Sequence, residues 1–294
     1  MSENKNVSMT ELRQAYEREI LTTDDVGEIQ QPLSFWEKLL RISLLRKAIL
    51  LIGLVALWEI TALRIDNPLI MPAFSAVGVA FEKALFHGEL LNRIMMSLKI
   101  LVVGYGSGVL LAGVLTVFAV NSRLGTDLLE LATAMFNPLP AIALVPLALL
   151  WFGIGAPSII FVLVQSVVWP IALNVHSGFT AVSPTLRMVG RNYGLNRLGF
   201  VTKILIPGAF PNILTGLKIG WAFAWRTLIA AELVFGVSSG SGGLGWFIYE
   251  QKNQLEIPAV FAGLMTVIII GILVENLIFQ TVERRTVRRW GMKL

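Results

Sequence analysis

The chain has 294 residues, of which 55% are hydrophobic and only 15% are charged, and its formal net charge is +5. Soluble domains carry about 25% charged residues, so this composition leaves too little polar surface for a soluble protein. The sequence contains no cysteine, which excludes disulfides and thiolate metal sites. Two histidines, His87 and His176, stand far apart and form no ligand cluster. The basic residues cluster beside apolar segments, so nucleic acid is not an expected partner.

Residues 1–47 are predicted to form a cytoplasmic N-terminal region. They contain neither the apolar core nor the small-residue cleavage site of a secretory signal. Residues 34–37, Ser-Phe-Trp-Glu, match a capping box that opens a helix. Aromatic and aliphatic residues then alternate with lysines and arginines. This pattern predicts an amphipathic helix in the membrane interface, with an ordinary cytoplasmic amphipathic helix as the alternative.

Six later segments are apolar over a length close to the roughly 20 residues that a membrane helix needs. They are predicted at residues 48–63, 95–120, 127–152, 158–174, 211–234 and 258–280. We therefore expect an all-α fold, a polytopic membrane helix bundle. Residues 48–91 would hold the first span and an extracytoplasmic stretch, 92–281 the transmembrane core, and 282–294 a basic cytoplasmic tail.

The distribution of positive charge predicts the orientation. Lysine and arginine concentrate in the N-terminus, in alternate loops and in the C-terminus, whereas the opposite loops hold only Lys83 and Lys252 away from span ends. Positively charged loops stay on the cytoplasmic side of a membrane. Both termini are therefore expected inside, in a multi-pass protein of the bacterial inner membrane.

The third span is interrupted by Pro138, Pro140 and Pro146. Proline lacks the backbone donor that an interior helical position needs, so this span is expected to be bent or partly unwound. Irregular backbone at membrane depth is tolerated where it lines a cavity. Pro140 and Pro146 are therefore candidates for lining and gating a pathway.

Ionisable residues inside the spans are the other pathway candidates, because burying them in lipid is costly. The fifth span carries Lys218, Arg226 and Glu232. A cation in a pathway lowers the barrier for an anion, and Arg226 is the best candidate for that role. The alternative for Arg226 is a structural ion pair with Glu232 or Glu275. Gln165 is a possible polar lining residue, with helix–helix hydrogen bonding as its alternative.

The longest predicted cytoplasmic loop covers residues 176–211 and reads as two short helices joined at a glycine. Ser183 can cap the first helix, Pro184 suits its first position, and Gly194 can supply the left-handed residue that ends it. One face of this helix would consist of Leu186, Val189, Gly190 and Tyr193. A rigid helical hairpin outside the membrane predicts a protein partner; packing on its own bundle is the alternative.

The same loop resembles permeases of binding-protein-dependent ABC importers. Their loop signature runs Glu-Ala-Ala, three residues, Gly, nine residues, then Ile-x-Leu-Pro, and Gly194, Ile204 and Pro207 stand at the matching positions. The opening differs, since residues 188–190 are Met-Val-Gly. Met188 cannot form the salt bridge that the family's glutamate would form with its ATPase, while the helical hairpin itself is unaffected.

Residues 137–155, 205–220 and 230–233, together with 243–245, are similar to one branch of that family, the permeases for nitrate, taurine and aliphatic sulfonates. The resemblance covers roughly residues 90 to 280. It implies a type I importer transmembrane domain, two copies of which surround one pathway. The implied solute is small and anionic.

The sequence contains no Gly-x4-Gly-Lys-Ser/Thr phosphate loop, so the chain is not expected to be an enzyme or to hold a cofactor or metal. The resemblance implies that ATP and magnesium bind a separate cytoplasmic ATPase. It also implies an extracytoplasmic solute-binding protein, a second permease copy and the lipid bilayer as partners. The helix from Ser183 to Arg197 resembles the coupling helix that seats in the ATPase. Its expected docking residues are Leu186, Met188, Val189, Asn192, Tyr193, Gly194 and Leu195.

Three alternatives accompany this interpretation. The same machinery could carry bicarbonate or a pyrimidine-precursor-like solute. An ion-coupled secondary transporter would work alone and would be expected to contain inverted repeats, which the sequence does not display. A membrane-embedded enzyme would need a histidine, cysteine or paired-carboxylate cluster, and the sequence offers none.

Overall fold

The computed structural model describes residues 43–235 and 242–291, and the regular structure in these residues is helical. The capping box expected at residues 34–37 lies outside the described residues. The α-helices are α1 (Ser43–Ile65), α2 (Phe74–Phe86), α3 (Leu90–Asn121), α4 (Arg123–Phe136), α5 (Val145–Phe152), α6 (Ala156–Ala181), α7 (Pro184–Asn192), α8 (Arg197–Phe200), α9 (Ile206–Phe235), α10 (Leu244–Asn253), α11 (Ile257–Leu273) and α12 (Gln280–Arg285). A 3-10 turn covers Ala141–Leu144, and π-helical segments cover Val201–Leu205 and Val274–Phe279.

The chain divides into two compact units, Met1–Ala56 and Leu57–Leu294. Of the first unit only residues 43–56, within α1, are described. In the second unit the end of α1 is joined to the loop before α2. Trp58 Nε1 donates a hydrogen bond to the Pro72 carbonyl at 2.9 Å, and the Glu59 carboxylate accepts from Ser75 Oγ at 2.8 Å.

The six predicted spans are helical apart from the break within the third, and the prediction of an all-α membrane bundle is confirmed. In the described residues, α1, α3, α6 and the stretch Ile257–Arg285 are long and apolar enough to cross a membrane. A fifth span results if α4 and the segment Ala141–Phe152 are counted together. Helix α9, which matches the fifth predicted span, has 30 residues and contains Lys218, Arg226 and Glu232, and it is not among these candidate spans.

Helices α3, α6 and α9 form the core of the second unit, and glycines bring them close together. A Cβ on Gly104 of α3 would lie 2.6 Å from Leu163 of α6, and a Cβ on Gly220 of α9 would lie 2.7 Å from Ile171 of α6. Small residues let membrane helices approach in this way, because packing rather than water exclusion drives their association. Helix α6 is therefore in close contact with both α3 and α9.

The prediction that prolines interrupt the third span is confirmed. The chain turns by 87° between α4 and the segment Ala141–Phe152. Pro138 and Pro140 lie in the turn itself, whereas Pro146 occupies the first turn of α5. A first-turn proline loses no helical hydrogen bond, so Pro146 begins a helix and does not break one.

The end of the chain packs back on the start of α9. Lys218 Nζ lies 2.8 Å from a Glu283 oxygen and 3.7 Å from a Glu275 oxygen. Val287 is buried in a cluster with Leu214 and Phe279. These contacts join the segment after α11 to the half of α9 that follows the long loop.

Candidate functional site

A cavity of about 370 Å³ lies between α6, α9 and the break after α4. Helix α9 contributes Phe223, Arg226, Thr227 and Ala230 to its wall. These residues are spaced at i, i+3, i+4 and i+7, so they form one face of the helix. Three pathway candidates from the sequence, Arg226, Gln165 and Pro140, meet in this one cavity.

Helix α6 supplies the facing wall through Gln165, Ser166, Trp169 and Pro170. The Trp169 ring stacks on Phe136 at the end of α4, with ring centroids 5.2 Å apart. Residues 136–142, which contain the proline break, complete the lining. The interruption of the third span thus forms part of the cavity wall, as irregular backbone at membrane depth is expected to do.

Arg226 faces this cavity without a carboxylate partner among the described residues. Its Nε donates to the Ala222 carbonyl at 3.0 Å, and its guanidinium lies 4.9 Å from the centre of the Phe223 ring. The two carboxylates considered as ion-pair partners are bonded elsewhere: Glu275 to Lys218 and Glu232 to Ser97. The positive charge of Arg226 is therefore not neutralised within the described structure.

Two further side chains of the wall have buried donor nitrogens. Gln165 Nε2 and Trp169 Nε1 are inaccessible to solvent and have no hydrogen-bond partner in the part of the chain that the structure describes. Buried donors are normally paired, because an unpaired one costs about 1–3 kcal/mol. These two nitrogens are shielded from the cavity in this structure, so the group that suits a solute with negative charge is the guanidinium of Arg226.

Glu232 and Pro146, the other two pathway candidates, are absent from the lining of this cavity. Glu232 is only 2% exposed and lies against the start of α10. Its carboxylate accepts hydrogen bonds from Ser97 Oγ at 2.7 Å and from the Gly245 amide at 2.8 Å. Ser97 Oγ in turn accepts from the Leu244 amide at 2.7 Å. Glu232 therefore joins α3, α9 and α10.

The helix predicted in the long loop is α7. Ser183 Oγ accepts the Leu186 amide at 3.3 Å, which confirms the predicted cap. At the other end Gly194 has φ +64°, and the amides of Gly194 and Leu195 donate to the carbonyls of Arg191 and Gly190. This pair of bonds defines a Schellman motif, which ends a helix at a left-handed glycine. The predicted boundaries of the loop helix are thus confirmed.

Helix α7 has one packed side and one open side. Gly190 is buried, and a Cβ there would lie 2.8 Å from the Phe200 ring and 3.0 Å from Ile204. On the open side Tyr193 is 81% exposed and Met188 is 61% exposed. The remaining expected docking residues, Leu186, Val189, Asn192, Gly194 and Leu195, are exposed or half-buried. Exposed apolar residues on a rigid helix suit a protein partner.

Trp169, Thr227 and Phe223 are wall residues that the sequence analysis did not single out. A signal for them was present, because Trp169 follows Gln165 by four residues, and Phe223 and Thr227 flank Arg226 at −3 and +1. Trp169 could have been predicted from its i+4 spacing to Gln165, and Phe223 from its i−3 spacing to Arg226. Thr227 is then one helical turn beyond Phe223. In the described residues no group of three or more histidine, aspartate or glutamate side chains could hold a metal ion.

Comparison with known proteins gives a family match. The family model described as the inner membrane component of binding-protein-dependent transport systems matches residues 104–290. A putative ABC transporter permease of Methanocaldococcus jannaschii is 30% identical over 226 residues, which cover 76% of this chain and 84% of the relative.

Two named permeases of Escherichia coli K12 are also similar. A putative aliphatic sulfonates transport permease is 29% identical, covering 76% of this chain and 84% of the relative. A taurine transport system permease is 28% identical, covering 78% of this chain and 86% of the relative. The family match includes the cavity walls and α7. The chain therefore belongs to the family of inner membrane components of binding-protein-dependent transport systems and is a permease subunit of an ABC importer.

Proposed function

We propose that this permease forms the transmembrane pathway for a small anionic solute of the sulfonate, taurine or nitrate type. The observation that carries the proposal is Arg226, whose guanidinium faces the cavity between α6 and α9 with no carboxylate partner in the described residues. A fixed cation in a membrane pathway offsets the cost of moving an anion through a medium of low dielectric constant.

Gln165 and Trp169 lie in the wall of the same cavity as Arg226. Their donor nitrogens are neutral and shielded from solvent in this structure, so the wall must rearrange before they can bind acceptor oxygens of the solute. A sulfonate or nitrate group has three such oxygens arranged around one centre. Bicarbonate shares this chemistry and stays an alternative solute, whereas a neutral pyrimidine precursor would gain nothing from Arg226.

The open side of α7 is the proposed contact with a separate ATPase, which would bind ATP and magnesium. Its exposed residues include Leu186, Met188 and Tyr193. In this arrangement residues 176–211 and both termini lie in the cytoplasm of a bacterial cell. The transmembrane core is then residues 92–281, preceded and followed in the sequence by the cytoplasmic regions 1–47 and 282–294. Residues 48–91 reach the extracytoplasmic side, where the binding protein docks. A second copy of the permease would close the pathway.

The test is uptake by the complete importer, with permease, ATPase and binding protein together in sealed vesicles. Arg226→Gln should lower uptake of the anionic solute at least about tenfold, a factor that corresponds to about 1.4 kcal/mol. Arg226→Lys should restore part of it, because the charge returns without the planar fork. Arg123→Gln, at an exposed position outside the cavity, is the matched control. Undiminished anion uptake by Arg226→Gln would contradict the proposal.

A further inference from the structure

One arginine of α7 faces away from the open side and bonds to the end of α6. Arg187 Nε donates to the Val182 carbonyl at 3.2 Å, and one of its terminal nitrogens, Nη2, donates to the Phe179 carbonyl at 2.6 Å. The last carbonyls of a helix have no partner within that helix, and they carry its negative dipole end. A guanidinium is well suited to bind two of them at once, because its donors form a rigid fork.

The helix that Arg187 holds also forms the cavity wall. Trp169 and Phe179 are ten residues apart on α6, a distance of about 15 Å along a helix axis. Near the end of α6, a Cβ on Gly178 would lie 2.6 Å from Asn212 of α9, so the two helices are in close contact there. A displacement of the end of α6 is thus carried toward Gln165 and Trp169 by a packed helix.

A proline lies inside the continuous helix α6 at the level of the cavity. Pro170 is buried within the helix and lines the cavity beside Trp169. An interior proline removes one helical hydrogen bond and is a common cause of helix bending. The half of α6 between Pro170 and Phe179 therefore connects Arg187 to the point in the wall where the helix bends most easily.

We propose that Arg187 is the positioning residue that fastens α7 to α6, so that a displacement of α7 by the ATPase changes the cavity wall. This inference rests on the proposed docking of the ATPase on α7. The second attachment of α7, Gly190 against Phe200 and Ile204, leads through the π-helical segment to α9. Loss of Arg187 leaves that attachment in place. The helix stays folded, keeps its partner and stays joined to α6 through Val182 and Ser183, but the angle between α6 and α7 is no longer held.

The experiment measures solute molecules imported per ATP hydrolysed by the complete importer in vesicles. Arg187→Ala should lower this ratio about tenfold, a factor that corresponds to about 1.4 kcal/mol. The rate of ATP hydrolysis should change less than about twofold. Arg187→Lys should give an intermediate ratio, because its ammonium can reach one carbonyl but does not form the fork. Arg191→Ala is the matched control, an exposed arginine one turn further along the same helix.

Thermal stability and recovery of the assembled complex are measured for every variant. A purely structural role predicts that uptake and hydrolysis fall in proportion to the recovered complex, and that result would overturn the proposal. An unchanged ratio in Arg187→Ala would overturn it as well. If Arg187→Ala does not assemble, Arg187→Gln, which keeps one amide donor, is judged by the same criterion. Failure of both to assemble would assign Arg187 to folding.

A separate variant distinguishes this inference from the proposed docking. Met188 and Tyr193 are both exposed on the open side of α7, and replacing both with alanine should release the ATPase. If the double variant still binds and stimulates the ATPase, the docking proposal is wrong. If it releases the ATPase while Arg187→Ala keeps the normal ratio, docking stands and the role of Arg187 is wrong.

Discussion

Two ionisable residues of α9, Arg226 and Glu232, are six positions apart and have opposite surroundings. Arg226 is exposed to a cavity and has no carboxylate partner among the described residues. Glu232 is buried, and hydrogen bonds from Ser97 and Gly245 satisfy its carboxylate. The difference teaches that an ionisable residue in a membrane helix does not by itself mark a pathway. What distinguishes the two is whether the protein already satisfies the charge.

The surroundings of Glu232 follow from the start of α10. The carboxylate accepts from the Gly245 amide at a helix N-terminus, where the helix dipole favours negative charge. Glycine makes the approach possible, because a Cβ on Gly243 would collide with Glu232 and Ser97. A short helix that does not span the membrane is thereby held against α3 and α9. This is a structural role, and it contrasts with Arg226, which has no carboxylate partner among the described residues.

Glu232→Ala should have the largest effect on stability. It leaves the Ser97 hydroxyl and the Gly245 amide without their acceptor, and each unpaired buried group costs about 1–3 kcal/mol. We expect a loss of several kcal/mol in the free energy of unfolding and a lower yield of folded protein. The thermal midpoint of the detergent-purified permease, followed by tryptophan fluorescence, measures this.

Glu232→Gln decides between the two roles of this residue. Its amide oxygen can take the place of Oε2, which accepts from both Ser97 Oγ and the Gly245 amide, so a smaller loss of stability is expected. A variant that keeps the normal thermal midpoint but loses uptake would instead place Glu232 in the pathway. That position was predicted from the sequence, because Glu232 is an ionisable residue in a membrane span.

Gly245→Ala should give the next largest loss. An added Cβ would lie 2.6 Å from the Ile229 carbonyl oxygen and 2.7 Å from the Glu232 Cβ. The backbone of α9 cannot yield easily, so about 2–3 kcal/mol is expected, the upper part of the range for overpacking. Gly106→Ala is the control, since no atom lies within 4 Å of its added Cβ. The control should be neutral or stabilising, because alanine is the better helix former.

These contacts also show how far the sequence could lead. Hydropathy located the long apolar helices, the prolines located the break after α4, and Ser183 and Gly194 bounded α7, because each of these signals acts within a few residues. The partners of Glu232 are not local: Ser97 is 135 positions away in the chain. Tertiary packing decides which charged residue has a hydrogen-bond or ion-pair partner. The hydrophobic periodicity of the sequence does not predict such partners. The prolines predict the break after α4 but not its angle of 87°.

Ser97→Ala should lower the free energy of unfolding by less than Glu232→Ala or Gly245→Ala does. Glu232 keeps its bond from Gly245, and alanine fits the space, so the main loss is the unpaired Leu244 amide. We expect about 1–2 kcal/mol, near the lower end of the range for one unsatisfied buried group. The double variant of Ser97→Ala with Glu232→Ala should lose less than the sum of the two, because both remove the same bond. Strict additivity would mean that the two side chains do not act together.

Arg226→Gln should have the smallest effect on stability. The side chain is exposed, and its contacts are a bond to the Ala222 carbonyl on its own helix and the Phe223 ring, so we expect a change of no more than about 1 kcal/mol, the value of an exposed cation–π contact. The same thermal assay measures it beside Glu232→Gln, which also removes one charge from α9. A loss larger than that of Glu232→Gln would make Arg226 a structural residue and remove the contrast. A normal thermal midpoint combined with reduced anion uptake would instead separate the two residues, with Arg226 acting on the solute and Glu232 on the fold.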